Sequence, residues 1–238
     1  MGPGLTAGRA RLACIVPVLD EAAQLPDLID HLARQPVDEI IVADGGSSDG
    51  GPAWLARRRA QEPRLRVLSS APGRAVQMNA GARAARSDWL WFLHADCRPP
   101  AGAAAAIRGA LAGGARWGRF DVHLAGRRPA YRVIEAAMNL RSRLTGIATG
   151  DQGLFVRGEA FRAVGGYPPQ PLMEDIELSR RLKGLGPPAC LRERLACDPR
   201  RWEAGGVAAT VLLMWWLRAR YWAGADPAVL ARRYRRVR

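Results

Sequence analysis

The sequence predicts an α/β fold with a mostly parallel central sheet flanked by helices. Two observations predict it. Short β-branched apolar runs alternate with segments whose apolar residues recur at helical spacing, and each of the first four runs stops at a short acidic or glycine-rich cluster. Parallel strands joined by helices are covered on both faces, which leaves ligands the crevice beyond the carboxyl ends of the strands.

Arg11 to Val18 is a β-branched run ending near a proline, and Ala22, Leu25, Leu28, Ile29 and Leu32 then mark one face of a helix over 21–34. Glu39 to Ala43 is the second strand, closed by Asp44-Gly-Gly-Ser-Ser-Asp-Gly, and a helix through Trp54 and Leu55 follows it to Arg59. Leu65 to Ser69, a helix over 75–86, and Asp88 to Leu93 repeat the unit; the fourth strand ends in His94-Ala-Asp96. Beyond Pro99 the pattern loosens. An Ala-rich helix to Leu111, a strand over 117–124, a helix over 129–144, an extended stretch after Gly150, a helix over 159–164 and another opening at Met173 are expected. No tandem repeat or low-complexity linker separates the halves, so one body is expected.

The chain has 238 residues, 48% of them hydrophobic, enough for one sizeable core. Thirty-six Lys and Arg against 22 acidic residues give a net charge of +14, a field that attracts nucleic acid, anionic lipid or nucleotide diphosphates alike. Cys14, Cys97, Cys190 and Cys197 show no C-x-x-C pairing, so neither zinc nor a disulfide is expected, and a reducing cytoplasm is the simpler home. Residues 1–10 lack the apolar core of a signal peptide and are expected to be a disordered lead.

Val16-Pro17-Val-Leu-Asp20-Glu21, Ile41-Val-Ala-Asp44-Gly-Gly-Ser-Ser-Asp49-Gly, Gly73-Arg74 with Asn79-Ala-Gly81, His94-Ala-Asp96 and Glu174-Asp175 stand in an order and spacing that resemble family 2 glycosyltransferases. The resemblance covers roughly 11–185. It implies a GT-A-type fold over 11–202, with 203–238 as a C-terminal helical segment, and an inverting sugar transfer from a nucleotide-diphosphate donor, a UDP-sugar above all. It implies that Pro17, Asp20, Glu21, Asp44, Arg74 and Asn79 lie along the nucleotide, where carboxylates past strand ends accept hydrogen bonds from a uracil imide and ribose hydroxyls. The bland readings are a tight turn at Asp44, a helix cap at Asp49, a solvated arginine and a surface amide.

His94-Ala-Asp96 stands where the family has its D-x-D motif, whose last carboxylate holds Mg²⁺ or Mn²⁺ against the diphosphate. Asp96 fits; His94 replaces the first Asp, which removes a charge and, as a neutral imidazole, favours Mn²⁺ over Mg²⁺ if it is a ligand at all rather than a packed strand-end residue. Asp175 of the Glu174-Asp175 pair would be the base that takes the acceptor's proton; alone, both acids would read as helix N-terminal charges. Asp151 and Gln152 would line the acceptor side. Arg201 and Trp202 resemble the arginine–tryptophan element of processive relatives, although Asp198 stands where that element has glutamine.

From Gly205 to Leu217 an apolar stretch with paired tryptophans precedes an arginine-rich tail. It is shorter than the ~20 residues of a membrane span. A helix lying in the membrane interface and a helix packed on the enzyme's own core both fit. The interfacial reading implies a lipid-like acceptor, such as a polyprenyl phosphate, a glycolipid precursor or a carotenoid acid, and a place on the inner face of the cell membrane. A nucleotidyltransferase would need a Gly-rich phosphate loop where Pro17-Val-Leu-Asp-Glu stands. A nucleic-acid-binding protein would need a recognition motif that is absent, and a dinucleotide oxidoreductase a G-x-G-x-x-G.

Overall fold

A computed structural model describes residues 9–236, apart from the side chains of 201, 204, 235 and 236; the expected lead at 1–10 falls mostly outside the described residues. The strands are β1 (Leu12–Val18), β2 (Glu39–Asp44), β3 (Leu65–Ser69), β4 (Trp89–Phe92), β5 (Cys97–Arg98), β6 (Trp117–Leu124), β7 (Phe155–Arg157) and β8 (Ala189–Cys197). They form one sheet in the order β3-β2-β1-β4-β7-β6-β8-β5. The β3-β2-β1-β4 half is parallel, as expected, while β7 runs antiparallel to both β4 and β6 and β5 runs antiparallel to β8. The sheet is therefore parallel in its β3-β2-β1-β4 half and mixed beyond it.

Alternation of side chains explains why helices cover both faces. Leu12, Cys14, Val16 and Val18 of β1 join one core cluster with Ile40, Val42, Trp91 and Leu93; Ala13 and Ile15 join the opposite one with Ile41, Leu90 and Phe92. The first cluster is closed by α1 (Leu25–Ala33), α4 (Ala103–Ala112) and α5 (Pro129–Thr145), the second by α3 (Arg74–Ala84), α6 (Gly158–Ala163) and α7 (Glu174–Lys183). With α2 (Gly51–Arg58), nearly every expected element of the first half is present within a few residues of its expected bounds.

Two features depart from expectation. The nine-residue β8 was not expected, because its Arg192-Glu193-Arg194 centre is exposed and breaks the apolar alternation; it is held by parallel pairing to β6. Cys97 and Cys197 form a disulfide, contrary to the reading of four unpaired thiols. Their separation of 100 residues hides the pairing in sequence, and it is the β5–β8 register that sets Cys97 opposite Cys197.

The C-terminal helices are α8 (Arg200–Gly205), α9 (Val207–Trp222) and α10 (Pro227–Arg236). Leu217 of α9 and Leu230 of α10 pack with Ile147, Leu172, Met173 and Ile176 in a third cluster, so this segment does rest on the body of the chain. Its outer side leaves Leu212, Trp215, Trp216 and Trp222 exposed, with the Arg233 guanidinium 4.5 Å over the Trp216 ring. Among the described residues no helix is long and apolar enough to cross a membrane.

The β6–β8 contact is close enough to test. A Cβ on Gly118 would stand 2.4 Å from the Ala189 carbonyl oxygen and 2.4 Å from the Phe155 ring, and the backbone oxygen cannot swing away. Gly118→Ala is expected to destabilise by about 1–3 kcal/mol, as overpacking of a filled core does, lowering the thermal midpoint measured by circular dichroism.

Candidate active site

The loops after β1 and β2 are stitched to each other. Asp44 is 8% exposed and accepts from the Ser47 hydroxyl and the Gly46 and Ser47 amides, which is the tight-turn geometry its sequence context allowed. Asp20, at φ 54°, accepts from the Ser48 amide at 2.7 Å, while its own amide donates to Ser47 Oγ. Asp49 accepts from Ala22 N and Gly51 N, so it joins the two loops; the cap position of α2 itself is Gly50. Behind them the buried Gln77 amide donates to the Val18 and Ala43 carbonyls, locking the ends of β1 and β2 to α3. Pro17 is buried within β1 opposite Ala43.

Arg74 opens α3 and pairs through Nε with Glu174 at 2.9 Å. Glu174 is 2% exposed, and its second oxygen has no hydrogen-bond partner among the described residues. Burial, the largest influence, raises the Glu174 pKa; Arg74 pulls it back and Asp175 pushes it further up. For Arg74 burial opposes the charge, but the surrounding carboxylates, Glu174 first, prevail and hold the guanidinium protonated. The next residue, Asp175, accepts from Gly150 N at 2.8 Å and from Ile176 N, and is half-buried. Met173, just before them, sits at φ 64°, a left-handed conformation that costs a non-glycine residue free energy and is held here by packing in the third cluster. Asn79 spends both ends of its amide on Tyr167, donating to its carbonyl and accepting from its N–H. It holds the Gly-Gly-Tyr turn instead of standing free for a nucleotide.

The His94 ring is wedged against Gly150: a Cβ there would lie 2.3 Å from Cε1 and 2.4 Å from Nε2, while Nδ1 faces Asp151 at 3.4 Å. This is the packed geometry, although the ring still borders a cavity. Asp96 is more open, with Arg200 at 3.8 Å. Gln152, expected on the acceptor side, is fully buried; its Oε1 accepts from Thr149 in a capping box, so the turn consumes it. The Arg201 side chain lies outside the described residues.

Two adjoining cavities gather what remains. One, of about 270 Å³, is lined by Glu21, Asp96, Asp151, Asp198, Arg200 and Trp202. The other, of about 450 Å³, is lined by Arg74, His94, Asp151 and Asp175 on its polar floor, and its walls are apolar. Asp151 and Trp202 border both. Asp20 and Asp44 line neither, standing at the ends of β1 and β2. Among the described residues no three His, Cys, Asp or Glu side chains converge on a point that could hold a metal ion.

A sheet of this order with acids at its strand ends has relatives. Residues 13–163, more than half of the chain, match the family model described as Glycosyl transferase family 2. The chain belongs to that family. It is 30% identical over 195 residues to the succinoglycan biosynthesis protein ExoA of Rhizobium meliloti (strain 1021), an alignment covering 72% of this chain and 58% of that protein. The family 2 fold is matched by the mannosyltransferase PcManGT of Pyrobaculum calidifontis, solved in complex with GDP-Man and Mn²⁺, at a TM-score of 0.66 and 19% identity over 93% of this chain and 67% of that one. It is matched too by S. aureus TarS 1–349 in complex with UDP-GlcNAc, at 0.62 and 16% identity over 79% and 58%. The chain thus spans somewhat more than half the length of ExoA and of this TarS fragment. The expected GT-A fold is borne out.

Sequence reasoning missed Gln77, Arg200, Arg141 and Arg218. Gln77 and Arg200 lie within or beside quoted motifs, and Arg200 is the arginine of Arg200-Arg201-Trp202 that reaches Glu21, Asp198 and Asp96. Arg141 and Arg218 sit on helices otherwise read for their apolar residues, and no local pattern marks them.

The Arg74–Glu174 pair yields a signed prediction. Because the folded chain holds the Glu174 proton more tightly than the unfolded chain, stability falls as pH rises from the ordinary glutamate range through the raised value. Removing Arg74 raises that value further. Arg74→Ala is expected to cost about 2 kcal/mol, below the ~3–5 kcal/mol of a fully enclosed pair because Arg74 is 36% exposed. The loss in thermal midpoint is expected to be larger near pH ~8 than near pH ~5 and to be largely relieved in Arg74→Ala/Glu174→Gln.

Proposed function

We propose that this chain is an inverting glycosyltransferase that moves a sugar from a nucleoside diphosphate donor, a UDP-sugar first, to a hydroxyl or carboxylate of an amphiphilic acceptor. The observation that carries the reading is Asp175, held by the Gly150 amide and facing an apolar-walled cavity that adjoins, through Asp151, the cavity of Asp96. The acceptor end and the leaving-group end of a transfer both have a carboxylate at hand. Complexes of the neighbours with GDP-Man and with UDP-GlcNAc support a nucleotide-sugar donor.

In this reading 11–202 is the GT-A catalytic domain and 203–238 a helical segment that completes the acceptor side. Asp20, Glu21 and Asp44, stitched by Ser47 and Ser48, shape the nucleoside end. Asp175 accepts the proton of the attacking hydroxyl as oxygen reaches the anomeric carbon and the diphosphate departs. Anchoring by the Gly150 N–H holds its carboxylate in place. Glu174 acts through Arg74: the pair fixes the start of α7, and the guanidinium brings positive charge to the cavity floor.

A divalent ion fits this donor set only in part. Asp96 offers one hard oxygen ligand, suited to Mg²⁺ or Mn²⁺, and a single carboxylate holds such an ion only when the diphosphate supplies further oxygens. When bound, the ion would neutralise charge on the departing diphosphate. His94, packed against Gly150, gives little support to an imidazole ligand and hence to a preference for manganese.

Thermal midpoints against UDP, GDP and dTDP with and without Mn²⁺ or Mg²⁺ test the donor half. Metal alone is expected to shift nothing, UDP with metal to raise the midpoint, and Asp96→Ala to abolish the gain. No stabilisation by any diphosphate sinks the reading. Asp175→Asn is expected to lower kcat by about 10²–10⁴ while leaving UDP stabilisation intact; a variant with normal turnover removes Asp175 from the base role.

Exposed Leu212, Trp215, Trp216 and Trp222 beside Arg220, Arg232 and Arg233 support peripheral contact with an anionic membrane surface. Trp215→Ser/Trp222→Ser is expected to float less with anionic liposomes than the parent chain, and equal flotation would refute the contact.

A further inference from the structure

The larger cavity holds two arginines that the transfer chemistry leaves unused. Arg141 projects from α5 and Arg218 from α9 into the same space as Asp175. Arg141 donates through Nη1 to the Ile147 carbonyl at 3.3 Å, but its buried Nε and Nη2 have no hydrogen-bond partner among the described residues. Arg218 makes no hydrogen bond or ion pair with any described residue. Burial lowers the pKa of both, that of Arg141 to about 10, and for Arg141 the nearby Arg218 adds to it. Asp175 attracts both guanidiniums and Asp151 attracts Arg218, but this offsets burial only in part, and neither arginine forms an ion pair with Asp175.

Two guanidiniums brought together in a half-buried place, with donors left over, are costly for the chain alone. They are complementary to an oxyanion, which a guanidinium fork binds through paired charge-assisted hydrogen bonds. The remaining wall specifies what the oxyanion is attached to. Val133, Ile134 and Met138 of α5 face Val211, Met214 and Trp215 of α9 across the cavity, and Val133 and Trp215 are 69% and 68% exposed, so the apolar wall runs from the arginines out to the surface. Of the residues expected at the nucleotide and metal, Arg74 and His94 line the floor of this cavity, while Pro17, Asp20, Asp44 and Asp96 do not, which favours an anion other than the nucleotide diphosphate beside Arg141 and Arg218.

We infer that Arg141 and Arg218 form an anion subsite for the acceptor, and that the acceptor is an amphiphile whose carboxylate or phosphate binds there while its hydrocarbon part lies between α5 and α9. The inference rests on the glycosyltransferase reading only for the word acceptor; the subsite itself is a binding property of the apo chain.

Isothermal titration calorimetry of the full chain with decyl phosphate, decanoate, 1-decanol and inorganic phosphate tests it, run beside the UDP and Mn²⁺ thermal shift. Decyl phosphate or decanoate is expected to bind at least about tenfold more tightly than decanol or inorganic phosphate. Arg218→Gln and Arg141→Gln, each checked for folding by circular dichroism, are expected to weaken that binding about ten- to hundredfold while UDP with Mn²⁺ still stabilises them as it does the parent. Arg218→Gln decides the matter if Arg141→Gln fails to fold. Decyl phosphate and decanol binding alike to parent and variants would reduce the cavity to a greasy slot and overturn the inference. Inorganic phosphate binding as tightly as decyl phosphate overturns it as well, by assigning the site to a free phosphate. Loss of UDP stabilisation in the arginine variants overturns it in favour of the donor diphosphate. Arginine-dependent decyl phosphate binding in a chain that no nucleotide stabilises sinks the donor reading and leaves the subsite standing.

Discussion

A carboxylate cannot stay buried and charged without a partner, and Glu174, at 2% exposure, has Arg74 as its only ion-pair partner among the described residues. Arg74 is the first residue of α3 and Glu174 the first of α7, so the pair ties the parallel half of the molecule to the mixed half at the point where the polar floor of the larger cavity begins. Asp175, one residue on, takes its direction from this tie and from the Gly150 amide. Met173 is carried into the left-handed region by the same arrangement, strain that the packing of Ile147, Leu172 and Leu217 around it sustains.

The second constraint is the double-sided burial of the central strands. Every residue of β1 and β2 is buried, and successive side chains go to opposite cores, so polar side chains are confined to strand ends, Glu39 at the start of β2 and Asp44 at its close. That is why Asp20, Asp44 and His94 to Asp96 all appear at one edge. Gln77 turns this edge into a fixed platform, because its one amide bonds the last carbonyl of β1 and the penultimate carbonyl of β2 at once. The loops above are then cross-bonded through Ser47, Ser48 and Asp49, so that the carboxylates nearest the strand ends do structural work whatever ligand they meet.

The C-terminal helices have two unlike sides. One side of α9 and α10 is packed on the body through Leu217 and Leu230; the other presents Leu212, Trp215 and Trp222 to solvent. A helix that closes a cavity with one side and exposes tryptophans on the other connects the interior to an apolar surface. Arg141 and Arg218 at the inner end of that path give it a charged terminus.

The alternation of apolar runs and helices determined the parallel half of the sheet, both covering layers and the polar strand ends, because period-2 and period-3.6 burial are local properties written residue by residue. The motif order determined the family as well. What local pattern could not decide was pairing across distance: β8, whose charged centre hides a strand; the disulfide between Cys97 and Cys197; the spending of Asn79 on Tyr167 and of Gln152 on Thr149; and the meeting of Arg141 with Arg218 from helices far apart in the chain. Each of these depends on which groups the packed core brings within hydrogen-bonding or bonding distance, and that is settled only when the sheet has chosen its order and the last helices have closed over it.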